Sequence, residues 1–140
     1  MIKILFICHG NICRSPAAEF VLRELLDRAG LGGEYTVASA ATSSEEIGNP
    51  VYPPMRRVLA AHGLDCAGKT ARKLRRRDYE DWDLLIGMDE ENLWNMRRLF
   101  GGDEHRGDRQ SDLSPGPTQA GGKGRARAGA PCPPDDGGGL

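Results

Sequence analysis

The sequence lacks a long hydrophobic run, an excess of one charge sign and the two close-spaced cysteine pairs of a zinc site. The apolar stretch over residues 1–7 is too short to span a bilayer, and no signal-peptide cleavage pattern follows it, so we expect a cytoplasmic protein. A formal net charge of -1 gives no global field that favours nucleic acid or an anionic membrane. Four cysteines in 140 residues are also too few for a secreted disulfide scaffold. We therefore expect no metal and no cofactor.

Strand and helix patterns alternate through the first hundred residues. The run from Ile2 to Ile7 is rich in β-branched residues and predicts a buried parallel strand that ends near Cys8. After it, Ser15 is predicted to cap a helix that Gly30 ends. The remaining predicted elements are a strand over 35–40, a helix over 55–62, a strand over 84–88 and a helix opened by the acidic residues 89–91. This alternation predicts one α/β domain with a parallel sheet, whose binding edge lies after the strands.

The composition changes at Gly101. Eleven of the 19 glycines and five of the 9 prolines lie from there to the end of the chain, where Leu113 and Leu140 are the only large aliphatic residues. Such a segment cannot bury a helix or a strand well. We therefore predict a folded domain over residues 1–100 and a disordered Gly/Pro-rich tail over residues 101–140.

The most informative stretch is Cys8-His9-Gly10-Asn11-Ile12-Cys13-Arg14-Ser15-Pro16, between a strand end and a helix start. The residues between Cys8 and Arg14 can wrap into a loop whose backbone amides point inward, and the following helix adds its positive N-terminus. Such a loop is suited to holding a phosphate group. The predicted phosphate-binding residues are His9, Gly10, Asn11, Ile12 and Cys13.

Cys8 and Arg14 are the predicted catalytic pair. The loop amides, the helix end and Arg14 all favour an anionic sulfur at Cys8, which makes it a nucleophile at neutral pH. Arg14 carries a planar fork of donors that matches two phosphoryl oxygens and can follow their charge into a transition state. Ser15 can donate its hydroxyl to the sulfur and help the thiolate to form and to leave.

These residues also have purely structural interpretations. A cysteine at a strand end is often only a small buried hydrophobe, but a structural loop has no need of the arginine, the serine and the helix start together. His9 has no acidic partner within the motif, so we interpret it as loop surface and not as a general base. The basic run from Lys69 to Arg77 lacks interleaved aromatics, and we interpret it as a solvated face and not as a nucleic-acid site.

The other cysteines leave alternatives open. Cys13 is close enough to trap an oxidised Cys8 as a disulfide, which would protect the nucleophile from irreversible oxidation. Cys13 is equally well explained as a small residue that lines the loop. Cys66 and Cys132 have no partner at motif spacing, and we interpret them as structural or incidental.

Cys-x-Gly-Asn-x-Cys-Arg-Ser-Pro after an apolar strand resembles the signature of the low-molecular-weight protein-tyrosine phosphatases. Similarity to that family extends over about residues 1–100 and includes Ser39 to Ser43, Gly48 to Pro50, His62 to Leu64 and Leu84 to Asp89. The resemblance implies a three-layer α/β/α fold with a short parallel sheet. It also implies in-line attack of Cys8 on phosphorus, a phosphocysteine intermediate that water hydrolyses without a metal, a loop shaped by Asn11, and a substrate pocket bordered by residues 42–49.

Two features depart from that family. Its members carry a late Asp-Pro-Tyr or Asp-Pro-Trp segment whose aspartate is the general acid, and this sequence has no Asp-Pro dipeptide. Asp112, Asp135 and Asp136 lie in Gly-rich or Ser-Pro surroundings, so the general acid stays unassigned. Residues 101–140 also lack the apolar periodicity of the family's last strand and helix. A reading-frame shift after about residue 105 is our hypothesis for this tail, and resequencing the locus tests it.

Three functions are consistent with this pattern. The first is hydrolysis of phosphotyrosine in a protein, or of a small aryl phosphate monoester, with turnover reduced by the missing acid. The alternative is a non-catalytic module that captures phosphate or phosphotyrosine. The third is arsenate reduction, which normally needs a relay of further cysteines that Cys66 and Cys132 do not supply at paired spacing. No nucleic-acid or membrane partner is expected.

Overall fold

The computed structural model of the chain describes residues 1–101 and Cys132. Its elements are β1 (Ile2–Cys8), α1 (Arg14–Arg28), β2 (Tyr35–Ala41), α2 (Pro53–Ala61), α3 (Asp78–Asp81), β3 (Leu84–Gly87) and α4 (Glu90–Phe100). Every strand and helix that the sequence predicts over this part is present. The four-residue helix α3 was not predicted, because it is too short to show a hydrophobic period.

The three strands form a parallel sheet in the order β2-β1-β3. Strand β1 is central, and its register pairs Cys8 with Ala41 on one side and Ile7 with Gly87 on the other. Leu5 and Ile7 are fully buried, which explains the nearly continuous apolar run of this strand. Since the strands are parallel, their carboxyl ends meet at one edge of the sheet, where β1 places Cys8.

Helices cover both faces of the sheet. On one face the Ser39 side chain of β2 donates a hydrogen bond to Glu19 of α1. Ala40 points the other way and packs in a buried cluster with Met96 and Phe100 of α4. This alternation along β2 confirms the prediction of a three-layer α/β/α fold. The buried members of the cluster are Leu5, Ile7, Ala40, Leu74, Tyr79, Met96 and Phe100.

The ends of α1 test two predictions. Its N-cap residue is Cys13, which makes no side-chain capping bond, so the prediction that Ser15 caps the helix is wrong. The physical reason is that the Ser15 hydroxyl lies 3.0 Å from the sulfur of Cys8 and is engaged there. The prediction for the C-terminus is confirmed, because α1 ends two residues before Gly30, which has a φ of +77°.

The buried face of α1 is partly polar. Val21 and Leu25 of this helix are apolar, yet they are 42% and 53% exposed. Glu19 is instead 2% exposed, accepting a hydrogen bond of 2.6 Å from Ser39 and pairing with Lys69 at 3.1 Å. A buried carboxylate persists only where such partners satisfy it. Glu19 thereby joins α1 to β2 and to the segment after α2.

The basic run is only in part a solvated face. Residues 75–77 are exposed as predicted, and this part of the interpretation is confirmed. The interpretation is wrong for Lys69 and Arg72, which are partly buried and pair with Glu19 and Asp78. Glu19 lies 50 positions before Lys69, so the local charge pattern does not indicate that pair, whereas Arg72 and Asp78 are only six positions apart.

Asp78, the first residue of α3, is 1% exposed and fully engaged. Its carboxylate accepts hydrogen bonds from the Arg72 guanidinium at 3.0 and 3.1 Å, from the Arg75 amide at 2.7 Å and from Trp82 Nε1 at 3.2 Å. Burial alone would raise the pKa of Asp78. The hydrogen bonds and positive charges of Arg72 and Arg75 outweigh it and hold that pKa below the ordinary value of 3.8.

The predicted disordered tail over 101–140 and the suggested loss of a last strand and helix lie outside the described residues, except at Gly101 and Cys132. Over the described part of the chain, no helix has both the length and the apolar character needed to cross a membrane.

Replacing Asp78 tests its role in holding the segment after α2. Because the folded-state pKa is depressed, the stability contributed by the carboxylate is present above the unfolded-state pKa of about 3.8 and is lost as pH falls through the folded-state pKa. We expect Asp78→Asn to lower the free energy of unfolding by about 3 kcal/mol at pH 7. The difference in the free energy of unfolding between wild type and variant should become smaller below about pH 4, and urea denaturation measures it.

Asp81→Asn is the matched control for this experiment. Asp81 pairs with Arg77 at 3.3 Å on the surface, and both side chains are more than a third exposed. We expect its free energy of unfolding to change by less than about 0.5 kcal/mol, without the pH dependence expected for Asp78→Asn. Equal losses of stability in the two variants would contradict the role given to Asp78.

Candidate active site

The loop between β1 and α1 turns at Asn11. Its φ of +60° lies in the left-handed region, and among the described residues no other non-glycine has a positive φ. Asparagine tolerates this conformation better than most residues. The loop is held from outside as well, because the amide of Tyr52 donates to the carbonyl of Ile12 at 2.7 Å.

Asn11 connects the loop to three other parts of the site. Its backbone amide donates to the sulfur of Cys8 at 3.2 Å, and its Nδ2 donates to Ser15 Oγ at 2.8 Å. Its Oδ1 accepts from the backbone amide of Arg72 at 3.1 Å. The side chain is 1% exposed, so each of these polar groups is satisfied inside the protein.

The sulfur of Cys8 is surrounded by donors. Besides the Asn11 amide, it lies 3.4 Å from the Ser15 amide and 3.0 Å from Ser15 Oγ. Ser15 Oγ already accepts a hydrogen from Asn11, so its own hydrogen is available to the sulfur. The geometry places Ser15 beside the sulfur, and the catalytic roles of Cys8 and Ser15 stay predictions.

The backbone of the loop also offers donors to a ligand. No described residue accepts a hydrogen bond from the amides of Gly10, Ile12, Cys13 or Arg14. These amides lie at the N-terminal end of α1, where the helix dipole adds positive potential. The arrangement suits an anion that accepts several hydrogen bonds, as a phosphate group does.

Arg14 is held by a residue that the sequence analysis did not assign to the site. Its Nη1 lies 2.9 Å from Oδ2 of Asp89, at the start of α4. The other oxygen, Oδ1, accepts from the Asn92 amide at 2.8 Å and caps the helix in a reciprocal capping box. Asp89 therefore fixes α4 with one oxygen and Arg14 with the other. Asp89 was predicted only to open the helix, because nothing local indicates a partner 75 positions away.

A cavity of about 430 Å³ opens over the loop. It is lined by Cys8, His9, Gly10, Ile12, Cys13, Arg14, Glu45, Glu46, Tyr52 and Cys132. Glu45 and Glu46 come from the loop after β2. The expectation that residues 42–49 border a pocket at this site is confirmed for these two residues. Six of the eight residues predicted for the site line this cavity, and Asn11 and Ser15 do not.

His9 lies at the surface of the loop, as the sequence analysis expected. Its Nε2 is 3.3 Å from Oε1 of Glu45, and the two side chains are 49% and 69% exposed. The acidic partner that is missing from the motif thus comes from the second loop. The sequence gives no signal for the pair, because 36 positions separate its members.

The cysteines divide into two groups. Cys13 and Cys132 form a disulfide, with their Cα atoms 6.1 Å apart. The interpretation of Cys132 as structural or incidental is therefore incomplete, since it lies at the cavity. Cys8 and Cys66 are unpaired. Cys66 packs in a buried cluster with Val51 and Leu59 away from the loop, and burial raises the pKa of its thiol.

In the described ranges, no three or more His, Cys, Asp or Glu side chains are grouped so that they could hold a metal ion. Asp112, Asp135 and Asp136, the late aspartates considered for the general acid, lie outside the described residues.

Comparison with known families decides the identity of this fold and loop. The sequence profile of the low molecular weight phosphotyrosine protein phosphatase family matches residues 3–114. The chain belongs to this family. The matched range contains the whole loop, the residues 42–49 and Asp89, and the resemblance seen in the sequence is thereby confirmed.

Individual relatives agree with the family profile. The low molecular weight protein-tyrosine-phosphatase YfkJ of Bacillus subtilis is 40% identical over 101 residues, which are 72% of this chain and 65% of YfkJ. The human low molecular weight phosphotyrosine protein phosphatase is 40% identical over 96 residues, 69% of this chain and 60% of the human protein. The crystal structure of YfkJ matches with a TM-score of 0.71 at 39% identity, covering 74% of this chain and 65% of that one. The chain thus spans less than two thirds of the length of these relatives.

In this member of the family, Asp89→Asn separates the two tasks of Asp89. Asparagine is as good an N-cap as aspartate, so the free energy of unfolding should change by less than about 0.5 kcal/mol. The negative charge that orients Arg14 is lost, and we expect kcat for p-nitrophenyl phosphate to fall about 10- to 100-fold. Steady-state kinetics and urea denaturation of the same samples measure the two effects.

Glu91→Gln is the matched control, because Glu91 lies in the first turn of the same helix and is exposed. It changes the charge at the helix start without touching Arg14, and kcat should stay near that of the wild type. Asp89→Asn with unchanged kcat and unchanged affinity for phosphate would show that Arg14 needs no orienting partner.

Proposed function

We propose that this chain is a protein-tyrosine phosphatase that hydrolyses phosphotyrosine or other aryl phosphate monoesters through a phosphocysteine intermediate. The observation that carries the proposal is the sulfur of Cys8, which three donors surround at the base of a cavity that also holds Arg14. Membership of the phosphatase family and the printed names of the relatives support the same activity.

Substrate binding begins with the phosphate group in the loop. The amides of Gly10, Ile12, Cys13 and Arg14 supply hydrogen bonds to its oxygens. The Arg14 guanidinium gives one nitrogen to Asp89, and its remaining donors are left for two phosphoryl oxygens. The phosphorus atom would then lie over the sulfur of Cys8, in position for in-line attack.

The first chemical step forms a bond from the sulfur of Cys8 to phosphorus and breaks the bond from phosphorus to the phenolic oxygen. The leaving phenolate takes up a proton. In the second step a water molecule attacks phosphorus, the bond to sulfur breaks, and inorganic phosphate is released. The Ser15 hydroxyl, 3.0 Å from the sulfur, stabilises the thiolate before the first step and as it leaves in the second.

The acidic side chains described around the cavity already have partners. One carboxylate oxygen of Asp89 contacts Arg14, and the other caps helix α4. Glu45 contacts His9, and Glu46 accepts a hydrogen bond of 2.7 Å from Asn49. The general acid is therefore unassigned, and we expect turnover to depend strongly on the basicity of the leaving group.

The absence of an Asp-Pro dipeptide favours one second candidate, a module that captures phosphotyrosine without turnover. The same loop contacts would hold the phosphate in that case. Arsenate reduction has less support, because Cys66 lies in a buried cluster apart from the loop and Cys13 is already paired. A cytoplasmic location and the absence of nucleic-acid and membrane partners stay predictions from the sequence.

Hydrolysis of p-nitrophenyl phosphate by the full chain tests the enzyme directly. We expect measurable turnover in the wild type and a loss of about 10³-fold or more in Cys8→Ser, because the nucleophile is removed. Cys66→Ala is the matched control, a buried cysteine away from the cavity, and should keep wild-type turnover. Circular dichroism of the same samples checks that all three proteins are folded.

A second substrate separates the phosphatase from the capture module. p-Nitrophenolate leaves without much help, whereas the tyrosinate of a phosphotyrosine peptide needs a proton, and lack of an acid slows such a step by about 10²–10⁴-fold. Slow but Cys8-dependent hydrolysis of the peptide supports the proposal. A folded wild type that binds the peptide and hydrolyses neither substrate would exclude the phosphatase and leave the capture module.

A further inference from the structure

Cys132 reaches the active-site loop from far along the chain. It lies 119 positions after Cys13, yet the two sulfurs are bonded. Cys13 is the N-cap residue of α1, next to Arg14, and is 6% exposed. The bond therefore fixes Cys132 to the rim of the phosphate-binding loop.

The position of Cys132 bears on access to the site. Cys132 lines the same 430 Å³ cavity as Cys8 and Arg14. A substrate whose phosphate rests in the loop would have to place its leaving group in this cavity. While the bond to Cys13 exists, Cys132 forms part of the wall of that cavity and cannot move away.

The four cysteines differ in their suitability for oxidation. Cys66 is buried among apolar side chains, and burial raises the pKa of its thiol, so little of the reactive thiolate forms there. Cys8 is unpaired at the base of the cavity. Cys13 can bond to only one partner at a time. A Cys13 bonded to Cys132 therefore cannot also trap an oxidised Cys8.

We propose that the Cys13–Cys132 disulfide is a redox switch that restricts access to the active site. The switch rests on the function proposed above. A disulfide oxidant such as oxidised glutathione takes two electrons from the two thiols, forms the bond between their sulfurs and leaves as two molecules of reduced thiol. A dithiol reductant reverses the exchange and frees both cysteines. In a reducing compartment such disulfides are typically transient and regulatory, and seldom permanent structural links.

The switch makes two states with different properties. In the oxidised state Cys132 narrows the cavity, Cys8 is shielded, and turnover is low. In the reduced state the cavity is wider and Cys8 is accessible.

The first experiment maps the bond without using activity. The Cys8→Ser variant is oxidised with oxidised glutathione and digested with trypsin under non-reducing conditions. Cleavage after Lys3, Arg14 and Arg127 should give residues 4–14 joined to residues 128–140. Because this variant has no cysteine other than Cys13 in the first peptide, the assignment is unambiguous. Absence of the joined peptide would overturn the proposal.

The second experiment measures access to Cys8. Wild type and Cys132→Ser are treated with oxidised glutathione, and alkylation of Cys8 by iodoacetate is then followed by mass spectrometry. We expect the oxidised wild type to react about tenfold or more slowly than its reduced form, because the cavity is narrowed. Cys132→Ser should react at the reduced rate under both conditions. Equal slowing in both proteins would show that Cys8 itself is the target of the oxidant.

The third experiment follows hydrolysis of p-nitrophenyl phosphate. We expect oxidation to lower wild-type turnover about tenfold or more, dithiothreitol to restore it, and Cys132→Ser to be unaffected. Cys66→Ala is the matched control and should respond as the wild type does. A bridged protein with full turnover would overturn the switch. If the reduced wild type has no turnover, the phosphatase proposal fails. The alkylation rates of Cys8 then still show whether the disulfide restricts access to the cavity.

Discussion

The site depends on the hydrogen bonds of a single buried side chain, that of Asn11. Its left-handed backbone aims an amide at the sulfur of Cys8, while Nδ2 holds the hydroxyl of Ser15 against the same sulfur. Its Oδ1 ties the loop to the backbone of Arg72. Without the Asn11 side chain, Ser15 Oγ would lose a donor and the amide of Arg72 would lose its acceptor, so the loop and the nucleophile are stabilised together.

Support for this loop extends into the fold through ion pairs. Arg72, which holds Asn11 by its backbone, is itself fixed by its side chain on the buried carboxylate of Asp78. On the other side of the sheet Glu19 joins α1 to Lys69. The segment after α2 is thus anchored at both ends by charge pairs. These pairs link the stability of the domain to the geometry around Cys8, because a shift of this segment would displace the loop.

The local part of the site was predictable, and the distant part was not. The spacing of Cys8 and Arg14 between a strand and a helix marked the loop, and the hydrophobic periods marked the strands and the longer helices. The partners that complete the site come from other segments: Asp89 lies 75 positions from Arg14, and Cys132 lies 119 from Cys13. Ser15 was misread as a helix cap because a cap and a sulfur ligand look alike in sequence.

Sequence alone determined the order of elements, the parallel sheet and the loop that carries the nucleophile. Each of these follows from contacts between near neighbours or from the period with which apolar residues recur. The tertiary structure decided which charges are buried, which residue orients Arg14 and which cysteine meets Cys13. Those pairings depend on chain segments that folding brings together, and a one-dimensional pattern carries no distance between such segments.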